Sequence, residues 1–311
     1  MSRPQARPGT PSTTGAGHGT RGRRSLGRTL LVTSRPVSWI NTAYPFAAAY
    51  LLSGGRVDAV LVVGSLFFLV PYNLAMYGIN DVFDHASDLL NPRKGGVEGA
   101  LLVPARHRAV LVAVAVAVVP FVVVLVLLGD PVSWLVLGLV LLAVVAYSAP
   151  GLRFKEIPFL DSATSSAHFT GPAVYGAVMA GNGFSPPLVL VLVAFYLWGA
   201  AAHAFGAVQD VVPDRAGGLS SIATVLGARW TVRVSVGLWT AAGLLMLAVP
   251  WPGPLGALVA VPYIVTALPY VGVPDSGSPR TNRGWRRFLV INYVCGFAVT
   301  MILIHAATRG A

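Results

Sequence analysis

The sequence predicts an all-α polytopic membrane protein, and three observations carry that prediction. Of 311 residues, 55% are hydrophobic and only 11% are charged, whereas soluble domains carry about 25% charged residues. Mean hydropathy is +0.70. Apolar runs approaching the ~20 residues that a crossing helix needs recur along nearly the whole chain. Backbone groups in lipid must close their hydrogen bonds internally, which leaves helices or a barrel. The runs are continuous rather than alternating, and this selects helices.

Nine spans are expected, approximately Val37–Ser53, Asp58–Ile79, His107–Leu128, Val132–Ser148, Phe159–Ala180, Leu188–Gln209, Trp230–Pro250, Leu255–Val271 and Phe288–Ala306. The first and eighth are the weakest, being short or broken by Pro45 and Pro262. Residues 1–28 are rich in Pro, Gly, Ser, Thr and Arg without apolar periodicity, which predicts a disordered basic cytoplasmic tail. Arg23-Arg24 could open a twin-arginine export signal. The apolar stretch that follows is broken at once by Ser34-Arg35-Pro36 without a small-residue cleavage site, so a plain tail is the preferred reading. Residues 29–311 then form one transmembrane domain. The single cysteine, Cys295, falls inside the last span and excludes an intramolecular disulfide.

A net charge of +11 invites a nucleic-acid reading, but the distribution argues for topology. Seven of the 22 Lys and Arg lie in the first 35 residues, and 13 lie between Arg93 and Arg287 in or beside the connections after spans two, four, six and eight. Only Arg56 and Arg309 fall on the other side. By the positive-inside rule, the N-terminus and those connections face the cytoplasm of a plasma-membrane protein and the C-terminus lies outside. No nucleic-acid partner is expected.

The acidic residues are few and clustered. Asn80, Asp84 and Asp88 are spaced four apart, and Asp81 follows Asn80. On a helix Asp81 and Asp88 point within about 20° of each other and Asp84 some 60° away. A second pair, Asp210 and Asp214, stands where span six meets the same side. Like charges at this spacing repel, and aspartates are disfavoured at helix C-termini. A cation relieves both problems. Hard oxygen ligands without His or Cys spacing suit Mg²⁺, which binds through a few carboxylates plus substrate phosphates. The bland alternative is two solvated acidic helix ends. Two matching clusters holding five of eleven acids, facing one compartment, favour the metal reading. Arg93, Lys94, Arg153, Lys155 and Arg215 lie close by and as a set suggest a diphosphate cradle.

These residues resemble a known family. "NDVFDHASD" is similar to the NxxxDxxxD-type motif of the UbiA superfamily of intramembrane prenyltransferases, and "DVVPDRAGGLSSIATVLG" to its second motif. "TSRPVSWINTAYPF", "NPRKGGVEGA" and "AYSAPGLRFKEIPFLDSATSSAHFT" look like the actinobacterial lycopene elongases within it. The resemblance implies a nine-helix bundle whose central cavity opens to the cytosol and sideways to lipid. It implies dimethylallyl diphosphate as donor, lycopene or a related long isoprenoid as acceptor, and carotenoid cyclase subunits as candidate partners. It further implies one Mg²⁺ on Asn80, Asp84 and Asp88 and another on Asp210 and Asp214, with Asp81 as a further ligand or a supporting partner.

In that scheme the lysines and arginines steady the departing diphosphate, and aromatics at Tyr72, Tyr147 or Phe205 stabilise an allylic cation, Tyr147 being favoured by its place beside the basic loop. Intramembrane His168 and His203 are candidates to take the terminating proton or to bond between helices, with His203 preferred. Asp161 could pair with Lys155 or assist diphosphate binding, and Asn41 and Asn292 could bond helices or line the cavity. An aromatic acceptor, as in quinone or haem pathways, is the main rival. An ion-coupled carrier is disfavoured because its acids belong near the midplane.

Overall fold

A computed structural model describes residues 25–85 and 102–309, and every long element among them is helical. In chain order these are α1 (Leu26–Thr33), α2 (Ile40–Leu52), α3 (Ala59–Leu69), α4 (Pro71–Phe83), α5 (His107–Leu128), α6 (Pro131–Ser148), α7 (Leu160–Met179), α8 (Pro186–Val208), α9 (Val211–Ala216), α10 (Ile222–Leu247), α11 (Gly253–Ala267) and α12 (Asn282–Arg309). The expected tail before Ser25 lies outside the described residues.

Among the described residues, seven segments are long and apolar enough to cross a membrane: Ala59–Phe83, Pro104–Leu128, Pro131–Ser148, Pro186–Val208, Ile222–Leu247, Gly253–Tyr270 and Asp275–Thr308. Length and composition thus account for seven of the nine expected crossings. The other two fall short for separate reasons. α2 has only 13 residues, with Pro45 inside it. α7 has 20 residues but buries Asp161, Ser162, Thr164, Ser166, His168 and Thr170, so its polarity rather than its length sets it apart.

The second expected span is two helices meeting at Val70–Pro71. Proline supplies no backbone donor there, and side chains cover the carbonyls that the break exposes. Asn73 Nδ2 donates to Phe68 O at 2.9 Å and Leu69 O at 3.1 Å, and Thr42 Oγ1 donates to Phe68 O at 2.6 Å. α10 is interrupted at Gly227, whose φ of 76° lies in the left-handed region that glycine enters without strain.

Among the described residues two large apolar cores form, beside a small cluster of Ala49, Ala173, Ala177 and Leu192. One core gathers Phe46, Phe67, Phe68 and Tyr72 from the first half of the chain with Tyr175 of α7; the other gathers Phe205, Trp239, Tyr263 and Phe288 from the second half. Between them runs α7, packed against α2, α6 and α8. Its approach to α2 depends on Gly176, where a Cβ would meet the Phe46 carbonyl oxygen and sit 3.1 Å from Tyr50 N. Small residues permit such backbone contact in membranes. Gly176→Ala should separate the helices at a cost of about 1–3 kcal/mol, read as a lower thermal midpoint in detergent. An unchanged midpoint would count against this contact.

Candidate functional site

Both acidic clusters emerge at one end of the bundle. α4 stops at Asp84, whose N–H donates to Asn80 O at 2.9 Å with φ −97° and ψ 0°. The regular helical face expected from Asn80 onward is therefore interrupted at Asp84, and beyond residue 85 it lies outside the described residues. Asp88, Arg93 and Lys94 lie outside the described residues. Asn80 Oδ1 accepts from Ser148 Oγ at 2.9 Å, which fixes the end of α4 to the end of α6. Asp81 is 1% exposed and its Oδ1 accepts from Arg35 Nη2 at 3.1 Å. The Arg35 guanidinium also lies 4.2 Å from the centre of the Tyr77 ring.

Asp84 is 4% exposed. Lys155 Nζ contacts its Oδ1 directly, and Arg153 Nη2 stands 3.9 Å from the same oxygen. Both bases come from the connection between α6 and α7, where Arg153 adopts φ 41°. Arg153 Nε donates to Glu156 Oε2 at 2.8 Å, and this bonding holds the Glu156 carboxyl below its ordinary range. The stabilisation is thus present above the usual carboxylate pKa and lost as pH falls through the lowered value.

The second cluster begins where α8 ends. Asp210 precedes the short α9; Asp214 N–H donates to Asp210 O at 2.9 Å, and Asp214 O accepts from Leu219 N–H at 2.8 Å. Both aspartates are half-buried. Arg215 turns elsewhere: Nη1 reaches Asp275 Oδ2 at 2.6 Å and Nη2 donates to Thr224 O at 2.6 Å.

A buried polar chain connects the two regions. Tyr147 OH lies 3.2 Å from His203 Nε2, and Ser162 Oγ lies 3.0 Å from His203 Nδ1. Both ring nitrogens are therefore engaged by hydroxyls. Asp161 is fully buried. Its Oδ1 accepts from Ser162 N–H at 2.7 Å and its Oδ2 from Ile222 N–H at 2.8 Å. Lys155, the partner considered for it in the sequence, pairs instead with Asp84. The His168 ring meets Tyr147 edge to face at 5.1 Å, and its carbonyl accepts from Tyr72 OH at 3.3 Å.

Phe205 packs in the second core against Trp239. Asn292 Oδ1 accepts from Tyr263 OH at 3.0 Å, and Asn41 is exposed. An apolar groove of about 260 Å³ opens between α6, α7 and α8, lined by Leu139, Ala143, Phe154, Leu160, Ala163 and Tyr196 among others. Ala143 stands one turn before Tyr147.

Several of these partners carried no sequence signal. Arg35 is 46 residues from Asp81 and Ser148 is 68 from Asn80, and neither separation leaves a periodic trace. Among the described residues, no three His, Cys, Asp or Glu side chains converge as a metal cage. The available donors are an amide and carboxylates at two helix ends. That hard, incomplete oxygen set fits Mg²⁺, which keeps positions for phosphate oxygens and water.

The UbiA prenyltransferase family matches residues 42–294. The C(50) beta-cyclic carotenoids biosynthesis protein LbtBC of Dietzia sp. is 55% identical over 299 residues, which cover 96% of this chain and 66% of that protein. The chain thus spans just under two thirds of that relative's length. The lycopene elongase/hydratase of Corynebacterium glutamicum is 50% identical over 277 residues, 89% of this chain and 96% of that protein. Among solved structures, a UbiA homolog from Archaeoglobus fulgidus bound to DMAPP and Mg²⁺ matches with a TM-score of 0.61 at 16% identity, covering 86% of this chain and 98% of that one. That last likeness bears on the fold.

Proposed function

The chain belongs to the UbiA prenyltransferase family, and on that premise we propose that it moves dimethylallyl units from dimethylallyl diphosphate to the ends of lycopene, taking C40 to C45 and then C50. One observation carries the site reading. Asn80, Asp84, Arg153 and Lys155 meet at the end of the bundle that the Tyr147–His203 contact joins to α8, the helix ending beside Asp210. The acceptor reading is supported by 50% identity, across 96% of its length, to a protein named for lycopene elongation. The donor and metal are supported by the fold neighbour bound to DMAPP and Mg²⁺.

In this reading Asn80, Asp84 and Asp88 would hold one metal ion and Asp210 and Asp214 a second, while Asp81 acts through Arg35. Bound Mg²⁺ would supply charge neutralisation that makes diphosphate a better leaving group. Lys155 and Arg153 transfer their contacts from Asp84 to the diphosphate, and Arg93 and Lys94 are proposed as further diphosphate-binding cations. The donor C–O bond breaks and diphosphate leaves with both electrons. The terminal alkene of lycopene adds to the allylic cation, and the resulting tertiary cation loses a proton or takes up water.

Tyr147 presents an aromatic face and a hydroxyl near the cation, while His203, bonded to Tyr147 and Ser162, positions that hydroxyl and can relay the proton. Arg215, committed to Asp275 and Thr224, holds the second cluster in place. A long apolar acceptor arrives from lipid, and the groove beside Ala143 offers it a path toward Tyr147. We read α2 and α7 as two further crossings, giving nine helices around a central cavity. The acidic end and N-terminus face the cytoplasm, the C-terminus faces outside, and carotenoid cyclase subunits are the candidate protein partners.

Co-expression with a lycopene pathway should yield C45 and C50 pigments by mass, and purified protein should release diphosphate from dimethylallyl diphosphate only with Mg²⁺. Unchanged C40 lycopene alongside a prenylated aromatic product would overturn the acceptor. Chelator-insensitive release would overturn the metal assignment.

A further inference from the structure

The geometry points to a binding site for an anionic phospholipid at the start of α12, apart from the acidic clusters. Between the 3₁₀ segment Asp275–Thr281 and α12 lies a hollow of about 1040 Å³ whose lining includes Arg280, Arg283, Arg286, Arg287, Tyr270 and Val290. Four guanidinium groups thus fall within eight residues. Among the described residues, none of the four makes an ion pair. The nearby carboxylate, Asp275, is already held by Arg215 at 2.6 Å and by Ala228 N–H at 2.7 Å. A concave surface with this much uncompensated positive charge selects an anion.

The same helix face states which anion. Arg283, Arg287, Val290, Val294, Phe297 and Met301 recur every three or four residues and so share one stripe. Val290, Val294 and Phe297 are each 67% exposed. From Val290 to Met301 the stripe runs roughly 16 Å at about 1.5 Å per residue, the depth of one hydrocarbon leaflet. A soluble phosphate would satisfy the arginines and leave the stripe unused. A phospholipid satisfies both, its phosphate in the hollow and an acyl chain along Val290, Val294 and Phe297.

The hollow also touches the catalytic end. Asn282, in its wall, donates from Nδ2 to Gln209 Oε1 at 2.6 Å, and Gln209 immediately precedes Asp210. An occupied hollow therefore braces the residue beside the second acidic cluster. This coupling rests on the proposed donor site; the binding itself does not.

The test uses full-length protein in neutral detergent without donor. Native mass spectrometry should show phosphatidylglycerol retained at least about tenfold more tightly than phosphatidylcholine of the same chain length. The triple variant Arg283→Gln, Arg286→Gln, Arg287→Gln should lose that preference, and the corresponding triple Lys variant should keep most of it. Equal retention of the two lipids overturns the site, as does a preference undiminished in the Gln variant. Inorganic diphosphate displacing phosphatidylglycerol at equal concentration would reassign the hollow to a soluble anion and overturn it too. Should the Gln variant aggregate, a photoactivatable phosphatidylglycerol on the wild-type protein must label residues 280–297; labelling elsewhere overturns the proposal. Activity in phosphatidylglycerol against phosphatidylcholine nanodiscs reads the coupling separately.

Discussion

Asp84→Asn should lower kcat/KM for dimethylallyl diphosphate by about 10²–10³-fold, the range seen when one preorganised charge-stabilising group is removed. The substitution keeps the side chain's shape and an oxygen that can still accept from Lys155, so the local fold should persist. What disappears is the negative charge that a divalent ion requires in a site only 4% exposed. Lys155→Gln should act differently. On the proposed site it removes a diphosphate contact without removing a metal ligand, so KM for the donor should rise about tenfold at unchanged Mg²⁺ dependence. Both follow from diphosphate release in purified protein with excess lycopene. An Asp84→Asn enzyme within threefold of wild type would refute the carboxylate clamp.

The largest stability effect is expected at Asp161. Each carboxylate oxygen receives a backbone N–H, from Ser162 and from Ile222, and Ile222 opens α10. Asp161→Ala would orphan both donors at a fully buried position. At about 1–3 kcal/mol per unsatisfied group, the expected loss is ~2–5 kcal/mol. The negative charge also complements the helix N-terminus. Asp161→Asn keeps one acceptor and should cost less. Denaturation in detergent micelles, followed by tryptophan fluorescence, measures both. Because Ser162 also contacts His203, the Ala variant should lose activity before it unfolds. Equal midpoints for wild type and Ala variant would remove Asp161 from its bracing role.

Much of the fold was legible because membrane burial is written into local composition. Seven crossings stand out as apolar runs, and the motifs around Asp84 and Asp210 were enough to identify the family, which the relatives bear out. α2 and α7 were harder, since one is shortened and the other owes its place to neighbours rather than to lipid. The partners of the site residues lay further from view. Nothing near Asp81 in sequence points to Arg35, and nothing near His203 points to Ser162 on another helix. Arg215 illustrates the opposite trap: adjacency to Asp214 suggested a diphosphate contact, yet the fold turns it to Asp275. Such pairings depend on which helix ends meet, and composition does not encode that.

The polarity of α7 has a consequence for how the protein is made. A segment carrying Asp161 and His168 gains little from partitioning alone into hydrocarbon, since one ionisable residue at a helix centre offsets several leucines. On the reading that α7 crosses, it must enter the bilayer with a neighbour made after it, since Ser166 Oγ donates to Tyr196 O at 2.6 Å and Ser162 Oγ lies 3.0 Å from His203 Nδ1, both partners on α8. Released chains ending after Met179 should therefore leave a cysteine placed in α7 open to a membrane-impermeant thiol reagent, and chains extended through α8 should shield it.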